Sequence, residues 1–513
     1  MLRKIPKIIQ HLAGRFSGGI PVSLLRCIEQ RNFSTMVEEI RGLPKMQEKD
    51  LELRLQACAE QAGWNLTEQE KLKAYYYYYC GDLARAVAIA GRYVRGESFD
   101  LGLFLMCAIA LYQNAQWDDA LRILRGVPEN NAELQSSRDY WVTRAQILQA
   151  CNLMHELPEA LDRMLELASQ NSWVLENALS MSIELGQARR AQDIVEKLDA
   201  LGVRGYSFSL CLLALGEDRG WEMMECRYEM EEAAQYLNPA LLSLPRWRGE
   251  ENISLLVSTE QGIGDAIQVA RYFPLLAQRT SGRVSVEIQS ELIDLFEVNF
   301  PELDFLPCLR GKVPPGRHER WLGLMSLPWV FGRPGERYLS GIPYLRVPEA
   351  SADYWHKRAS ELFSTGVTRV GVAWSGQPRH RADRRRSIPS SQFFQYVQSS
   401  GRRVISLQKF RPASCPSCVL DCSDELLTFA DTAALIAQLD VVVTVDTSIV
   451  HLAGALGKKC LLMLPYCYEW RWGAEGDRTQ WYDSVMVIRQ RSSGEWDSVL
   501  ESVFTELDAM EVV

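Results

Sequence analysis

The sequence has no excess of basic residues and no long apolar run. Lysine and arginine total 56 against 65 aspartates and glutamates among the 513 residues, which gives a net charge of -9. Nonspecific binding to nucleic acid requires a surplus of basic side chains on one face, so this composition argues against it. No stretch approaches the ~18 consecutive apolar residues that a membrane-spanning helix needs. The sequence therefore predicts no stable membrane insertion.

The first twelve residues lack the marks of a secretory signal. They are basic and partly apolar, but they contain neither a continuous apolar stretch nor a small-residue cleavage site. We therefore expect a cytoplasmic protein of the bacterial type. Most of the 13 cysteines, including Cys107, Cys151 and Cys211, lie in apolar segments, which is the pattern of reduced, buried cysteines.

One group of cysteines differs from this pattern. Cys415, Cys418 and Cys422 lie within eight residues of one another. A zinc site usually needs four ligands, and no second CxxC or HxxxH pair follows nearby, although Cys460 and Cys467 are available. We favour loop cysteines without a metal, and a metal site remains the alternative.

The N-terminal half has the spacing of paired helices. Ala86, Ala120, Ala160 and Ala191 follow one another after 34, 40 and 31 residues, and the first step matches the ~34-residue tetratricopeptide period. Small residues there let two helices approach closely, and apolar residues at helical spacing surround them. This favours a tetratricopeptide-like (TPR-like) solenoid over a generic helical bundle. We predict an N-terminal helical segment over residues 1–60 and TPR-like repeats over 61–235.

After residue 235, apolar β-rich runs alternate with helical stretches. Strands are predicted to begin at Leu255 and to cover 284–288, 369–374, 403–407, 441–445, 460–464 and 485–488. This alternation predicts parallel sheets covered by helices. We predict one Rossmann-like half at 236–365, a second, donor-binding half at 366–490 and a C-terminal helix at 491–513. The fold class is α + α/β.

Two strand-loop-helix segments carry the most informative residues. One runs from Leu255 to Asp265, and the other runs from Val441 to Gly454. Each places small polar residues and a helix N-terminus where a nucleotide-sugar phosphate or a reacting hydroxyl would sit. Two such halves facing a cleft are the plan of the GT-B glycosyltransferases.

Many separated motifs over about residues 205–512 resemble those of bacterial tetratricopeptide-glycosyltransferase proteins. They include PRWRGE (245–250), EQGIGD (260–265), GVAWSG (371–376), HLAGALG (451–457) and WRW (470–472). Those proteins are relatives of the heptosyltransferases and, more distantly, of O-GlcNAc transferases. The resemblance implies a GT-B enzyme that holds its donor diphosphate against the second half without a metal, by means of helix N-terminal amides, hydroxyls and a cation.

The residues that the resemblance and the pattern assign to donor binding lie in the second half. They are Gln408, Lys409, Asp446, Thr447, Ser448 and His451. Lys409 follows a predicted strand, at the sheet edge where open α/β folds bind ligands. The alternatives are a solvated loop lysine, an ordinary helix cap at 446–448 and a structural histidine.

Asp265 is the candidate general base. The resemblance places an aspartate at this position, where it would remove the proton of the acceptor hydroxyl. A helix N-cap is the alternative role.

A further group is predicted to contact the acceptor or a phosphate. Its members are Gln261, Gly262, Gly264, His380, Arg384, Arg385 and Arg386. The arginines could clamp phosphates bidentately or form a solvated surface loop. Nucleic acid is a third interpretation, which the acidic composition opposes.

The predicted protein is an enzyme that moves a sugar from a nucleotide sugar to a hydroxyl of a protein, with no metal cofactor. The resemblance suggests flagellin-like surface proteins as acceptors, selected by a helical half that performs no chemistry. Two alternatives remain: a non-catalytic TPR scaffold with a degenerate transferase domain, and a lipopolysaccharide-core heptosyltransferase-like enzyme.

Overall fold

The chain forms two compact units, residues 1–169 and 170–513. The computed structural model describes residues 56–510 apart from residues 58, 61–62, 80–81, 94–98, 128–129, 230–240, 242–243, 281, 309–317, 333–341, 364–365, 379–382, 410–414, 468 and 474–475. Almost all of the predicted N-terminal segment 1–60 therefore lies outside the described residues. The boundary between the units falls inside the predicted repeats. Among the described helices, none is long and apolar enough to cross a bilayer.

The described part of the first unit is helical. Its helices are α1 (Leu66–Tyr79), α2 (Leu83–Ala90), α3 (Leu101–Gln113), α4 (Trp117–Arg125), α5 (Ala132–Gln135), α6 (Arg138–Ala150) and α7 (Leu157–Leu167). Neighbours pack in pairs, α1 with α2, α3 with α4 and α6 with α7. Ala86, Ala120 and Ala160 are fully buried, so the small-residue spacing did identify core positions.

The second unit begins with helices too. They are α8 (Ser172–Glu184), α9 (Ala188–Ala200), α10 (Tyr206–Ala214) and α11 (Arg219–Met223), followed by a 3-10 helix at Met224–Glu229. Leu213, Trp221 and Met224 belong to the same hydrophobic core as the first sheet. Residues 172–229 are therefore an integral part of the α/β unit.

A four-stranded sheet follows, in the order β3-β2-β1-β4 with all strands parallel. Its strands are β1 (Leu255–Ser258), β2 (Val284–Ile288), β3 (Asp304–Pro307) and β4 (Arg320–Gly323). The helices are α12 (Ile263–Val269), α13 (Phe273–Arg279), α14 (Ile293–Asn299) and α15 (Leu327–Phe331). Every residue of β1 and β2 is buried, which explains their continuous apolar runs.

The second sheet has six parallel strands in the order β10-β9-β8-β5-β6-β7. Its strands are β5 (Val370–Ala373), β6 (Val404–Ser406), β7 (Val419–Asp421), β8 (Val441–Val445), β9 (Cys460–Leu464) and β10 (Val485–Arg489). The remaining helices are α16 (Glu349–Leu362), α17 (Asp383–Arg386), α18 (Ser390–Ser399), α19 (Phe429–Ala437), α20 (Ser448–Ala455) and α21 (Asp497–Ala509). The predicted parallel sheets covered by helices are confirmed.

The two sheets bring their site-bearing helices together. α12 follows β1 and α20 follows β8, and these two helices pack against each other. A methyl group on Gly264 would lie 2.9 Å from His451 Cδ2 and 3.4 Å from Ser448 Cα. Glycine at this position therefore permits a close approach of the two helix N-termini.

Candidate functional site

A cavity of about 920 Å³ lies at the carboxyl edges of both sheets. Most of the residues predicted from the sequence line it: Gln261, Gly262, Gly264, Asp265, Arg385, Arg386, Gln408, Lys409, Asp446, Thr447, Ser448 and His451. Arg384 is exposed and is not part of the lining. His380 lies outside the described residues. The position is the one where open α/β folds bind their ligands.

Asp265 occupies the third position of α12 and not the N-cap. Gly262 is the N-cap residue, and its backbone N–H donates to Asp265 Oδ2 at 3.0 Å. The other oxygen, Oδ1, accepts a hydrogen bond from the Arg471 guanidinium. Each carboxylate oxygen keeps acceptor capacity for one more donor. Asp265 is therefore not the N-cap residue. Its carboxylate accepts the backbone N–H of the N-cap residue Gly262 and lies in the cavity wall.

A buried ion pair supports the loop before α12. Arg227 donates to both oxygens of Glu260, from Nε at 2.9 Å and from Nη2 at 2.7 Å. Glu260 also accepts the backbone N–H of Met325 at 3.1 Å. The pair is nearly inaccessible to water, with 9% and 5% of the two side chains exposed. It therefore fixes the segment that leads into Gln261 and Gly262.

The N-terminus of α20 forms another part of the cavity wall. Thr447 is its N-cap and accepts the Ile449 N–H at 3.3 Å. Arg386 Nη1 donates to the Asp446 carbonyl at 2.9 Å. Thr447 therefore caps α20 and also lines the cavity. Helix capping does not prevent this segment from contacting a ligand.

His451 is almost completely buried beneath this helix start. Its Nδ1 lies 3.0 Å from the Tyr482 hydroxyl, and its ring stacks on Trp472 with centroids 5.3 Å apart. Burial, with Arg471 and Arg271 nearby, lowers the pKa of His451 well below its ordinary value. The imidazole is therefore neutral at physiological pH. It packs against Gly264 of the first half and also lines the cavity.

The positively charged side chains that line the cavity differ in whether a carboxylate contacts them. Arg385 donates to Glu184 at 2.5 Å, and Arg386 lies 3.4 Å from Asp383. Lys409 is exposed, and its Nζ donates to the Leu426 carbonyl at 3.2 Å. Within the described residues, Lys409 is the cation of the lining that has no carboxylate partner. It is therefore the cation most available to an anionic ligand.

Gln408 organises the loop after β5. Its Oε1 accepts the Ser375 backbone N–H at 2.9 Å, and its Nε2 donates to the Ser375 hydroxyl at 2.8 Å. Both polar ends of the side chain are thus bound to the loop. Gln408 supports the cavity wall next to Lys409.

Arg471, the middle residue of the WRW motif (470–472), lies at the centre of the site, although the sequence pattern assigned it no role. Its guanidinium contacts Asp265 and Glu469, and its Nε donates to Gln268 Oε1 at 3.1 Å. It also stacks over Trp470 at 4.2 Å from the ring centroid. Asp265 and Gln268 lie on α12, so Arg471 ties the second half to the first.

Glu469 is the second carboxylate on Arg471. Its partly buried position in the cavity wall raises its pKa to about 7, because burial penalises the ionised form and outweighs the opposing effect of Arg471. Asp446 and Asp265 add to the rise through their negative charges. Glu469 therefore changes charge near neutral pH.

Helices that precede the first sheet form part of the wall. Glu184, Tyr206, Leu210 and Met224 all line the cavity. The Tyr206 hydroxyl accepts from Gln261 Nε2 at 2.8 Å. Sequence analysis missed these residues because helix periodicity alone does not indicate which core a helix packs on.

The aromatic residues near the C-terminus divide into two groups. Trp470 lines the cavity, whereas Trp472, Trp481 and Tyr482 are buried. Arg271 lies over the rings of Trp481 and Tyr482 at 5.1 and 4.7 Å. The buried rings therefore close the domain.

The cysteine group lies apart from the cavity lining. Cys422 is buried, and Cys415 and Cys418 are half-buried. In the part of the chain that the structure describes, no group of three or more histidine, cysteine, aspartate or glutamate side chains is placed to hold a metal ion.

The chain is similar to proteins of known family. A model described as glycosyltransferase family 9 (heptosyltransferase) matches residues 426–484. Protein FlbA of Caulobacter vibrioides is 24% identical over 442 residues, which cover 78% of this chain and 71% of that protein.

Two solved structures are similar to about half of the chain at low sequence identity. The ADP-heptose lipopolysaccharide heptosyltransferase II of E. coli is 15% identical, covering 51% of this chain and 99% of its own, with a TM-score of 0.36. A family 9 glycosyltransferase of Veillonella parvula is 12% identical, covering 51% and 98%, with a TM-score of 0.38. The part of this chain that matches glycosyltransferase family 9 (heptosyltransferase), residues 426–484, includes Asp446, Thr447, Ser448, His451, Glu469 and Arg471.

Proposed function

We propose that this protein transfers a sugar from a nucleotide-sugar donor to a hydroxyl group of an acceptor. The observation that carries the proposal is one cavity lined by Asp265, by Lys409 and by the N-terminus of α20. The α20 wall lies within the region that matches glycosyltransferase family 9. A carboxylate facing a site suited to a diphosphate is the arrangement that direct sugar transfer needs.

On the donor side, the diphosphate would lie against Lys409 and the start of α20. The backbone N–H groups at a helix N-terminus favour an anion, and the Thr447 and Ser448 hydroxyls can donate to phosphate oxygens. Lys409 supplies a positive charge that no carboxylate in the described residues neutralises. These groups would stabilise the negative charge of the leaving diphosphate without a metal.

On the acceptor side, Asp265 would act as the general base. The acceptor oxygen attacks the anomeric carbon, the bond from that carbon to the diphosphate breaks, and the hydroxyl proton passes to Asp265. The leaving nucleoside diphosphate carries away the electron pair of the broken bond. The carboxylate keeps acceptor capacity for this hydroxyl beside its contacts with Gly262 and Arg471.

The acceptor we propose is a protein. A long array of helices precedes the α/β region, and arrays of this kind present extended surfaces for peptides or folded partners. A lipopolysaccharide-core sugar is the second candidate, because the matching family model is described as heptosyltransferase. Competition between a protein and a lipopolysaccharide acceptor for the same labelled donor would separate them.

The test is a screen of nucleotide sugars against the full chain by thermal shift, followed by an assay of nucleotide release. ADP-, UDP-, GDP- and CMP-linked sugars would be compared, because a ligand that binds only the folded state raises its apparent stability. We expect one nucleotide class to raise the melting temperature and its sugar to be turned over. Binding without turnover by any acceptor would favour the non-catalytic scaffold, and the absence of binding would refute the proposal.

A further inference from the structure

Arg471 holds the candidate base from the opposite half of the cleft. It contacts Asp265 directly and reaches Gln268, which lies three residues further along α12. Only 14% of each side chain in the Arg471–Asp265 pair is exposed. An arginine in such a position is charged at every relevant pH and donates from a rigid planar fork. Arg471 therefore fixes the orientation of the Asp265 carboxylate.

The same contact places the positive charge of Arg471 directly beside the Asp265 carboxylate. A positive charge within hydrogen-bond distance stabilises a carboxylate and lowers its affinity for a proton. A general base works best when its affinity for a proton suits the working pH. Something must therefore offset the charge of Arg471 if Asp265 is to accept a proton from a hydroxyl.

Glu469 is placed to provide that offset. It contacts Nη1 of the Arg471 guanidinium, whereas Asp265 contacts Nη2, and its Oε2 accepts the Arg471 backbone N–H at 3.0 Å. When Glu469 is ionised, the two carboxylates share one cation. When Glu469 is protonated, the full charge of Arg471 acts on Asp265.

The other charged groups around Glu469 do not reverse this argument. Asp446 faces it from the loop after β8 and Asp265 faces it from α12, and both favour its protonated form. His451 faces Arg471 from α20 and is neutral, because burial lowers its pKa. Within this cluster, Glu469 is the carboxylate whose pKa is raised towards neutral pH.

We propose that Arg471 is a positioning residue that sets the orientation of the Asp265 carboxylate, and that ionised Glu469 shares the positive charge of Arg471 so that Asp265 can take the proton. The inference rests on the proposed function, since it concerns the base of that reaction. It adds a role for Arg471, which contacts the base, and for Glu469, which contacts Arg471. Transfer should then lose activity as the pH falls through the region where Glu469 becomes protonated.

The test compares pH profiles of the full chain and three variants. The substrate is the nucleotide sugar found in the screen, with ADP-heptose as the first probe, and the readout is nucleotide release. For the wild type we expect kcat to fall by about tenfold on the acid side of pH ~7, because protonated Glu469 no longer shares the charge of Arg471 and proton transfer to the base then becomes less favourable. This fall in kcat is the acid limb of the wild-type profile. Glu469→Gln should show the lower, acid-side rate at every pH, so its profile should lack the acid limb.

The control is Glu291→Gln, which removes a different carboxylate from the cavity wall. Glu291 is exposed and accepts from Ser290 Oγ at 3.3 Å, away from Arg471. This variant should keep the wild-type limb. Arg471→Lys keeps the charge but loses the planar fork, so kcat should fall at least about tenfold while the affinity for ADP, UDP or GDP stays near the wild-type value.

The outcomes separate the inference from the proposed function. If the wild type turns over a nucleotide sugar and Glu469→Gln keeps the acid limb, or Arg471→Lys keeps the wild-type kcat, the inference is refuted and the proposed function stands. If the wild type turns over none of the nucleotide sugars, the proposed function fails and the inference fails with it. Loss of the limb in Glu469→Gln alone supports the inference.

Discussion

A chain that begins at residue 239 should fail to fold, whereas a chain that begins at residue 170 should fold and keep the cavity. The first cut removes α8 to α11, and with them three large side chains of the core shared with the first sheet. These are Leu213, Trp221 and Met224. Burial of each is worth about 1.5–3 kcal/mol, so their loss removes roughly 5–9 kcal/mol. That is comparable with the whole stability of a typical domain, about 5–15 kcal/mol.

The first cut also separates Glu260 from Arg227. Loss of one partner of a buried pair costs about 3–5 kcal/mol where the remaining charge stays buried. The second cut leaves both residues, and it leaves every residue that lines the cavity, from Glu184 to Arg471.

Circular dichroism and thermal unfolding of the two chains, with calorimetric binding of ADP, UDP and GDP, would test this. We expect cooperative unfolding and nucleotide binding only for the chain that begins at residue 170. If the chain that begins at residue 239 unfolds cooperatively at a similar temperature and binds the nucleotide equally well, residues 172–229 are not an integral part of the catalytic unit.

Three further perturbations test separate parts of the site. Lys409→Ala combined with Thr447→Ala should weaken nucleotide-sugar binding in calorimetry while leaving the melting temperature nearly unchanged; unchanged affinity would remove both residues from the donor site. Gly264→Ala should lower the stability by about 1–3 kcal/mol, because the added methyl group overpacks against His451, and an unaltered melting temperature would contradict the close approach of the two helices. Since the pKa of Glu469 is raised in the folded state to about 7, its proton is held more tightly there, and its contribution to stability falls as the pH rises from its ordinary pKa towards 7. Glu469→Gln should therefore gain in melting temperature relative to the wild type across that interval, and a constant difference would show that Glu469 titrates normally.

The elements that the sequence predicted are those with a strong local signal. Strands β1, β2, β8 and β9 are buried along their whole length, so their apolar runs stand out between turns. Strands β3, β4 and β7 were missed. They have only three or four residues, and β7 buries only Val419, so they leave no such run.

The site was predictable only where its residues follow a strand. Asp265 lies in the first turn of the helix that follows β1, the segment 446–448 comes directly after β8, and both line the cavity. The partner of Asp265, Arg471, lies 206 residues further along the chain. This contact depends on how the two sheets face each other. The sequence around a charged loop residue does not indicate which distant residue it will contact.

The division of the helical half could not be predicted for a related reason. α8 and α9 have the same small-residue and apolar spacing as the earlier helices, and Ala191 is as buried as Ala86. The helices that follow them, α10 and α11, contribute Leu213 and Trp221 to the core beneath the first sheet. Which core a helix joins is a property of tertiary packing, so periodicity placed all of these helices in one array.

The most direct test of the account is the transfer rate of Asp265→Asn, measured with its donor affinity and melting temperature. Asparagine keeps an oxygen that can accept the Gly262 N–H, but it is not basic and cannot form the ion pair with Arg471. Loss of a general base typically lowers the rate by ~10²- to 10⁴-fold, and we expect a loss in this range with donor binding preserved. Near-normal transfer by a folded Asp265→Asn protein would contradict the assignment of Asp265 as the base.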